Sequence, residues 1–234
     1  MQQRARPRIL FFVGGAAGHP TAEQARQAAG WLGDGFDCDF REGRAAFEAL
    51  DGCDLLVLMG HYFTDMASQA WAGHLPYEPL LPHHKEAFER YIASGRPLLA
   101  HHGTVGSYDD WPRFGELVGV SWVRGVSGHP PFGEFRVRVL PTGHPVVAGV
   151  DDYSVQDELY YGLKITAGAQ AVVHAEATWE GQPQPMVLTH EGGRVPGAGR
   201  LVYLANGHDL RAFACPALRR LWVNAVSWLL GRNP

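Results

Sequence analysis

Short apolar runs and helical stripes alternate through the first half of the chain. Residues 8–13 (RILFFV) are apolar after the first position and predict a buried strand. Gly14, Gly15 and Gly18 follow, as suits a turn after a strand. Thr21 reads as a helix N-cap with Gln24 completing a capping box. Ala25, Ala28, Ala29 and Leu32 then recur at helical spacing. Residues 36–40 alternate briefly and predict a second strand, and residues 45–50 fit a short helix. Residues 54–59 (DLLVLM) predict a third strand, apolar enough for a sheet covered on both faces. Residues 61–82 are irregular and hold Tyr62, Phe63, Trp71, His74 and Tyr77, the make-up of a binding loop or lid. Residues 83–94 predict a helix with Phe88, Tyr91 and Ile92 as its stripe. Residues 98–100 form a fourth strand. A helix capped by Asp109 or Asp110 runs through Trp111, Phe114, Leu117 and Val118.

The second half changes character. Residues 132–140 alternate from Phe135 to Val139, as a half-exposed strand does. Residues 171–177 and 186–190 predict two further strands, paired across a turn at 181–185. Residues 201–205 return to the core, and 216–230 predict a closing amphipathic helix ended by Gly231. Its buried stripe is Leu218, Leu221, Trp222, Ala225, Val226 and Leu229. Strand-helix alternation followed by strands predicts an α/β domain, mostly parallel with an antiparallel extension. No repeat or linker divides it, so residues 1–234 read as one domain.

Composition narrows the partners. The chain has 234 residues, a net charge of −4 and 46% hydrophobic positions. That balance gives no reason to expect nucleic acid, and no window is long and apolar enough to span a bilayer. Cys38, Cys53 and Cys215 form no CxxC pair, which suggests reduced thiols and a cytoplasmic protein. The apolar run near the N-terminus is too short for a signal peptide and leads straight into glycines. A homo-oligomer is left open.

The chemistry gathers where strands stop. Residues 54–59 end at Gly60-His61, 97–100 at His101-His102-Gly103, and 201–205 at Asn206-Gly207-His208. Ligands of open α/β sheets collect outside the carboxyl ends of the strands. Neutral imidazole is the commonest metal ligand, and a carboxylate fits as the next one. This reading assigns His61, His101, Glu158 and His208, or a subset of them, to a divalent metal, with Asp157 the other candidate carboxylate and zinc favoured by the imidazole-rich set. His19 and His102 are candidates for proton transfer, with Asp157 beside them. His83 and His84 read as solvated helix residues, and His129 and His144 as turn residues in Gly-His-Pro. Tyr62, Trp71, Tyr160 and Tyr161 offer aromatic faces to a substrate or else to the core.

Several segments together carry a family resemblance. They are DLLVLMGH (54–61), PLLAHHGT (97–104), GHPVVAGV (143–150), DELYY (157–161), GRLVYLANGHD (from 199) and FACPALRRLWVNAVSWLLG (ending at 231). In this order and spacing they resemble the ThuA-like (trehalose utilisation) family. The resemblance implies a class I glutamine amidotransferase-like, flavodoxin-type three-layer sandwich. It also implies a role in sugar metabolism, with a sugar or keto-sugar substrate. Amidotransferases carry a cysteine nucleophile in a Gly-x-Cys-x-Gly elbow after the central strand. Here the resemblance puts His101 at that place, so glutaminase chemistry is not expected. Leu210 stands where a late His-x-Glu pattern would put the carboxylate that orients His208. The expected protein is therefore a sugar-processing enzyme, metal-dependent or using acid–base groups alone. The alternative is a non-catalytic carbohydrate-binding or assembly module on the same fold.

Overall fold

The computed structural model describes residues 6–67, 77–166 and 170–232. β1 (Arg8–Val13), α1 (Thr21–Leu32), β2 (Asp37–Glu42), α2 (Ala45–Glu48), β3 (Leu55–Leu58), α3 (Pro82–Ala93) and β4 (Leu98–His101) alternate through the first half. Then come α4 (Arg113–Val118), β5 (Val120–Ser121), β6 (Gly133–Val139), β7 (Tyr153–Asp157), β8 (Lys164–Ile165), β9 (Ala171–Trp179) and β10 (Gln182–His190). β11 (Leu201–Leu204), α5 (Leu210–Phe213) and α6 (Pro216–Leu229) close the chain.

Among the described residues, nine strands form one sheet in the order β2-β1-β3-β4-β11-β10-β9-β6-β7. The first five run parallel. The remaining strands join antiparallel, which is the predicted extension. From β1 the chain moves outward to β2, then returns to place β3 on the other side. Right-handed crossovers in opposite directions put their helices on opposite faces of the sheet. Accordingly α1 packs with α6, and α2 with α3. The reversal between β1 and β3 is also a switch point, where such sheets open a crevice at their carboxyl ends.

Continuous burial explains the continuous apolar runs. Ile9 to Phe12, Leu55 to Leu58 and Leu98 to Ala100 are wholly enclosed, because helices cover both faces. Where sequence and structure differ, pairing decides. β2 runs on to Glu42 because each of its residues pairs with β1, up to Val13 against Glu42. β7 carries no apolar signal of its own beyond Tyr153 and Val155, and it forms as the partner of β6. The expected Thr21 cap is replaced by Pro20 at the N-cap position. The Thr21 hydroxyl instead accepts from the Gly14 N–H at 2.7 Å. The Gln24 amide donates to the Gly207 carbonyl at 2.7 Å. Both side chains thus tie α1 to strand ends rather than capping it.

A buried histidine in the extension sets an acid limit. His174 lies between Thr142 Oγ1 and Thr189 Oγ1, at 2.7 and 2.8 Å. Burial, helped by nearby His144, pushes its pKa down from 6.5 to about 4. The unfolded chain takes up that proton near its ordinary value, so stability is complete above pH about 6.5 and declines toward pH 4. Thermal melts at steps from pH 7.5 to 4 should show a midpoint falling across that window. His174→Gln should make the fall shallower; an equally steep fall in the variant would assign the acid sensitivity elsewhere.

Candidate metal centre

Each strand end delivers its side chain by a specific local device. After β1 the chain turns at Gly15, whose φ is +101°. A Cβ there would overlap the backbone carbonyl of His61, to which Gly15 pairs after β3. That close approach brings the β1 and β3 turns side by side, and His19 and His61 stand with ring centroids 4.7 Å apart. At the end of β4 two adjacent histidines part company. His102 takes φ +43°, a left-handed conformation uncommon for a residue with a side chain. This turn brings its imidazole beside the other histidines, with ring centroids 5.4 Å from His19 and 5.7 Å from His208.

His101 does not join it. Its ring is buried on the helix side, 5.5 Å from Phe213 and 5.2 Å from Trp222. The expectation of His101 as a ligand is therefore corrected: neighbouring strand residues face opposite ways. The strained elbow residue is His102. His101→Ala should cost about 2–4 kcal/mol of stability through lost packing, yet leave metal stoichiometry unchanged. Loss of metal from the folded variant would restore the original assignment.

Four ligand-type groups converge from four segments: His19, His102, Glu158 and His208. Glu158 immediately follows β7. His208 Nδ1 lies 3.1 Å from Glu158 Oε2 and 3.2 Å from His19 Nε2. His102 Nε2 lies 3.6 Å from the same carboxylate oxygen. Bonds of about 2.0–2.1 Å in a tetrahedral zinc site set neighbouring donors roughly 3.3 Å apart, so the spacing fits a cation. The tautomer of His102 fits as well. Its Nδ1 donates to the Ala205 carbonyl at 2.7 Å, leaving the lone pair on Nε2. That nitrogen is buried with no hydrogen-bond partner. A backbone carbonyl holding the far nitrogen is the usual support of a metal-bound histidine.

Electrostatics point the same way. Burial, reinforced by His61, His102 and His208, holds the pKa of His19 well below the ordinary value. Burial, followed by the charge of His102, pushes His61 down to about 3. For His102 burial is outweighed by Glu158 and Asp157, and the net direction is upward. Burial would raise Glu158, but His102 and His208 override it and hold the carboxyl far below its usual range. The cluster is a buried carboxylate among imidazoles, a place that collects positive charge as a proton or as a metal ion.

A cavity of about 390 Å³ opens on this cluster and is lined by His19, His61 and Glu158. Phe63, Trp122 and Tyr160 supply aromatic walls, and exposed Asp65 and Arg124, with Asp109, form the outer part. His61 therefore borders the centre without belonging to the four-ligand set. Tyr160 lies on the cavity wall. Tyr161 does not: its ring stacks on Trp179 at 5.7 Å. Tyr62 is buried in the core, near parallel to Tyr108 at 6.2 Å. Trp71 lies outside the described residues. Asp157, expected to transfer protons, has both oxygens engaged by the backbone. Oδ1 accepts from the N–H groups of Glu158 and His208, each at 2.9 Å, and Oδ2 from Gly207 N–H at 2.7 Å.

One residue at the site escaped the sequence reading. His129 Nδ1 stands 3.7 Å from Glu158 Oε1 at the cavity wall, although its Gly-His-Pro context reads as a turn. The carboxylate beside His208 is Glu158, immediately after β7 and grouped with His208 in the sequence reading. A second grouping, Glu48, His83 and His84, is less suited to a cation. His84 is buried, contrary to expectation, and its Nδ1 accepts from the Leu81 N–H at 3.2 Å. Its Nε2 then donates to Glu48 at 3.1 Å, which leaves no lone pair. None of the three cysteines lines the cavity.

The sheet order, with its parallel strands and antiparallel extension, is that of a class I glutamine amidotransferase-like α/β fold. The sequence profile of the ThuA family, described as trehalose utilisation, matches residues 8–229, and the chain belongs to that family. A ThuA-like protein from Parabacteroides merdae has a similar structure, with a TM-score of 0.74 at 17% identity, over 98% of this chain and 92% of that one. A ThuA-like protein from Bacteroides uniformis gives 0.71 at 18% identity, over 98% and 94%. A glutamine amidotransferase from Thermotoga maritima gives 0.50 at 12% identity, over 97% and 99%. No curated protein matches at the sequence level.

Proposed function

We propose that the chain is a metal-dependent enzyme acting on a sugar or keto-sugar derivative. His19, His102, Glu158 and His208 hold a divalent cation, with zinc preferred for its affinity for imidazole. The observation that carries this reading is the 3.1–3.6 Å spacing of donors around Glu158 Oε2. The locked tautomer of His102 supports it. A bound cation would supply Lewis-acid polarisation of a carbonyl or activation of a water. His61 borders the cavity with a buried, unpartnered Nδ1 and is the candidate to move a proton beside the cation. Phe63, Trp122 and Tyr160 offer apolar faces to a sugar ring, and Asp65, Asp109 and Arg124 offer polar groups to its hydroxyls. The family's description, trehalose utilisation, supports carbohydrate as the substrate class.

The test is metal analysis of protein purified without a histidine tag, for wild type and a His19→Ala, His208→Ala double variant. Near-stoichiometric metal in the wild type alone is the expected result, followed by a screen for turnover of keto-sugars. Absence of metal from both, even after zinc is added, would overturn the metal reading. Sugar binding without turnover would favour the non-catalytic module.

A further inference from the structure

We infer that Asp157 is the positioning residue of this metal centre, an inference that rests on the metal reading above. Asp157 is buried, and a buried carboxylate without partners is costly. It is satisfied by four donors drawn from two places. Glu158 N–H and His208 N–H converge on Oδ1, at 2.9 Å each. Gly207 N–H at 2.7 Å and the Asn206 side-chain amide at 3.1 Å converge on Oδ2. One side chain therefore fixes the backbone of two ligands, Glu158 at the end of β7 and His208 beyond β11. These strands stand at different places in the sheet, with β10, β9 and β6 between them.

The turn that Asp157 grips also reaches the other two ligands. The Ala205 carbonyl holds His102 Nδ1. The Gly207 carbonyl accepts from Gln24, on the helix that begins two residues after His19. Tyr153 steadies the turn further, its hydroxyl donating to Asn206 Oδ1 at 2.9 Å. All four ligand segments are thus tied to residues 205–208, and Asp157 is the group that locks this turn to Glu158.

Asp157→Asn tests this directly. An amide supplies one acceptor oxygen and one NH2 group. Whichever way it is turned, two donors of the native set face an NH2 group. The charge is lost as well. Zinc affinity is measured by competition with a chelator, alongside the cobalt(II) absorption spectrum and the unfolding midpoint of the metal-free proteins. Folded Asp157→Asn should bind zinc about 10–100-fold more weakly, the range for groups that orient metal ligands, with an altered cobalt spectrum. A residue with only a structural role would lower the midpoint and leave affinity and spectrum as in the wild type, which would overturn the inference. Should that variant not fold, Asn206→Ala removes one donor and the link to Tyr153. It should weaken zinc binding several-fold; wild-type affinity there would overturn the inference. If the wild type itself binds no metal, the metal reading fails rather than the assignment of Asp157 within it.

Discussion

Glu158→Gln should lower zinc affinity by at least about a hundredfold while leaving the chain folded. Loss of an orienting group alone costs metal sites 10–100-fold, and Glu158 is proposed as a direct donor. The amide has nearly the shape of the carboxylate, so packing changes little. What it loses is the charge around which three imidazoles gather, His102, His208 and, more loosely, His129. Chelator competition on the two purified proteins gives the ratio. Equal affinities would mean that the carboxylate is not a ligand. The imidazoles would then need a different explanation, such as proton storage in an acid–base site without metal.

The second large effect lies beneath His208. Gly207 has φ +138°, a conformation open to glycine and costly for other residues. A Cβ there would also overlap the imidazole of His101, which is enclosed by Phe213 and Trp222. Gly207→Ala should therefore destabilise the protein by about 3 kcal/mol or more, read from denaturant unfolding. It should also displace His208 and so weaken zinc binding. Adding His101→Ala makes room for the methyl group but leaves the backbone strain, so the double variant should regain little stability. A Gly207→Ala change within about 1 kcal/mol of wild type would show that the turn relaxes freely, against the role given to it here.

Much of the fold was legible because buried parallel strands must be apolar throughout. RILFFV, DLLVLM and LVYLA announce themselves without any alignment. The pairing of such strands with helices follows from the need to cover both faces. Strand β7 was not legible, since its two buried residues, Tyr153 and Val155, make no run, and its place depends on β6. The site was legible in location and partly in membership. Glu158 and His208 were assigned as ligands and are brought together. In place of His101 it is His102, the second of the pair, that joins the cluster, because the pleat sends the first toward the helices. The second is delivered by a positive φ that no side-chain pattern reveals. His19 stands out in the sequence as a candidate for proton transfer. Its place within the cluster depends on the Gly14–Gly15 turn pressing against His61, which is a matter of tertiary approach. Asp157 looked catalytic because it is acidic and adjacent to Glu158. Strand alternation turns the two carboxylates apart, one into the cluster and one into the backbone of the turn.

We propose that one cation sits among four side chains, and the most direct measurement is a zinc-edge anomalous difference map from crystals of untagged protein grown with zinc. The expected result is a strong peak bounded by His19 Nε2, His102 Nε2, Glu158 Oε2 and His208 Nδ1. A map with no peak there, or with zinc only at Glu48, His83 and His84, would contradict it.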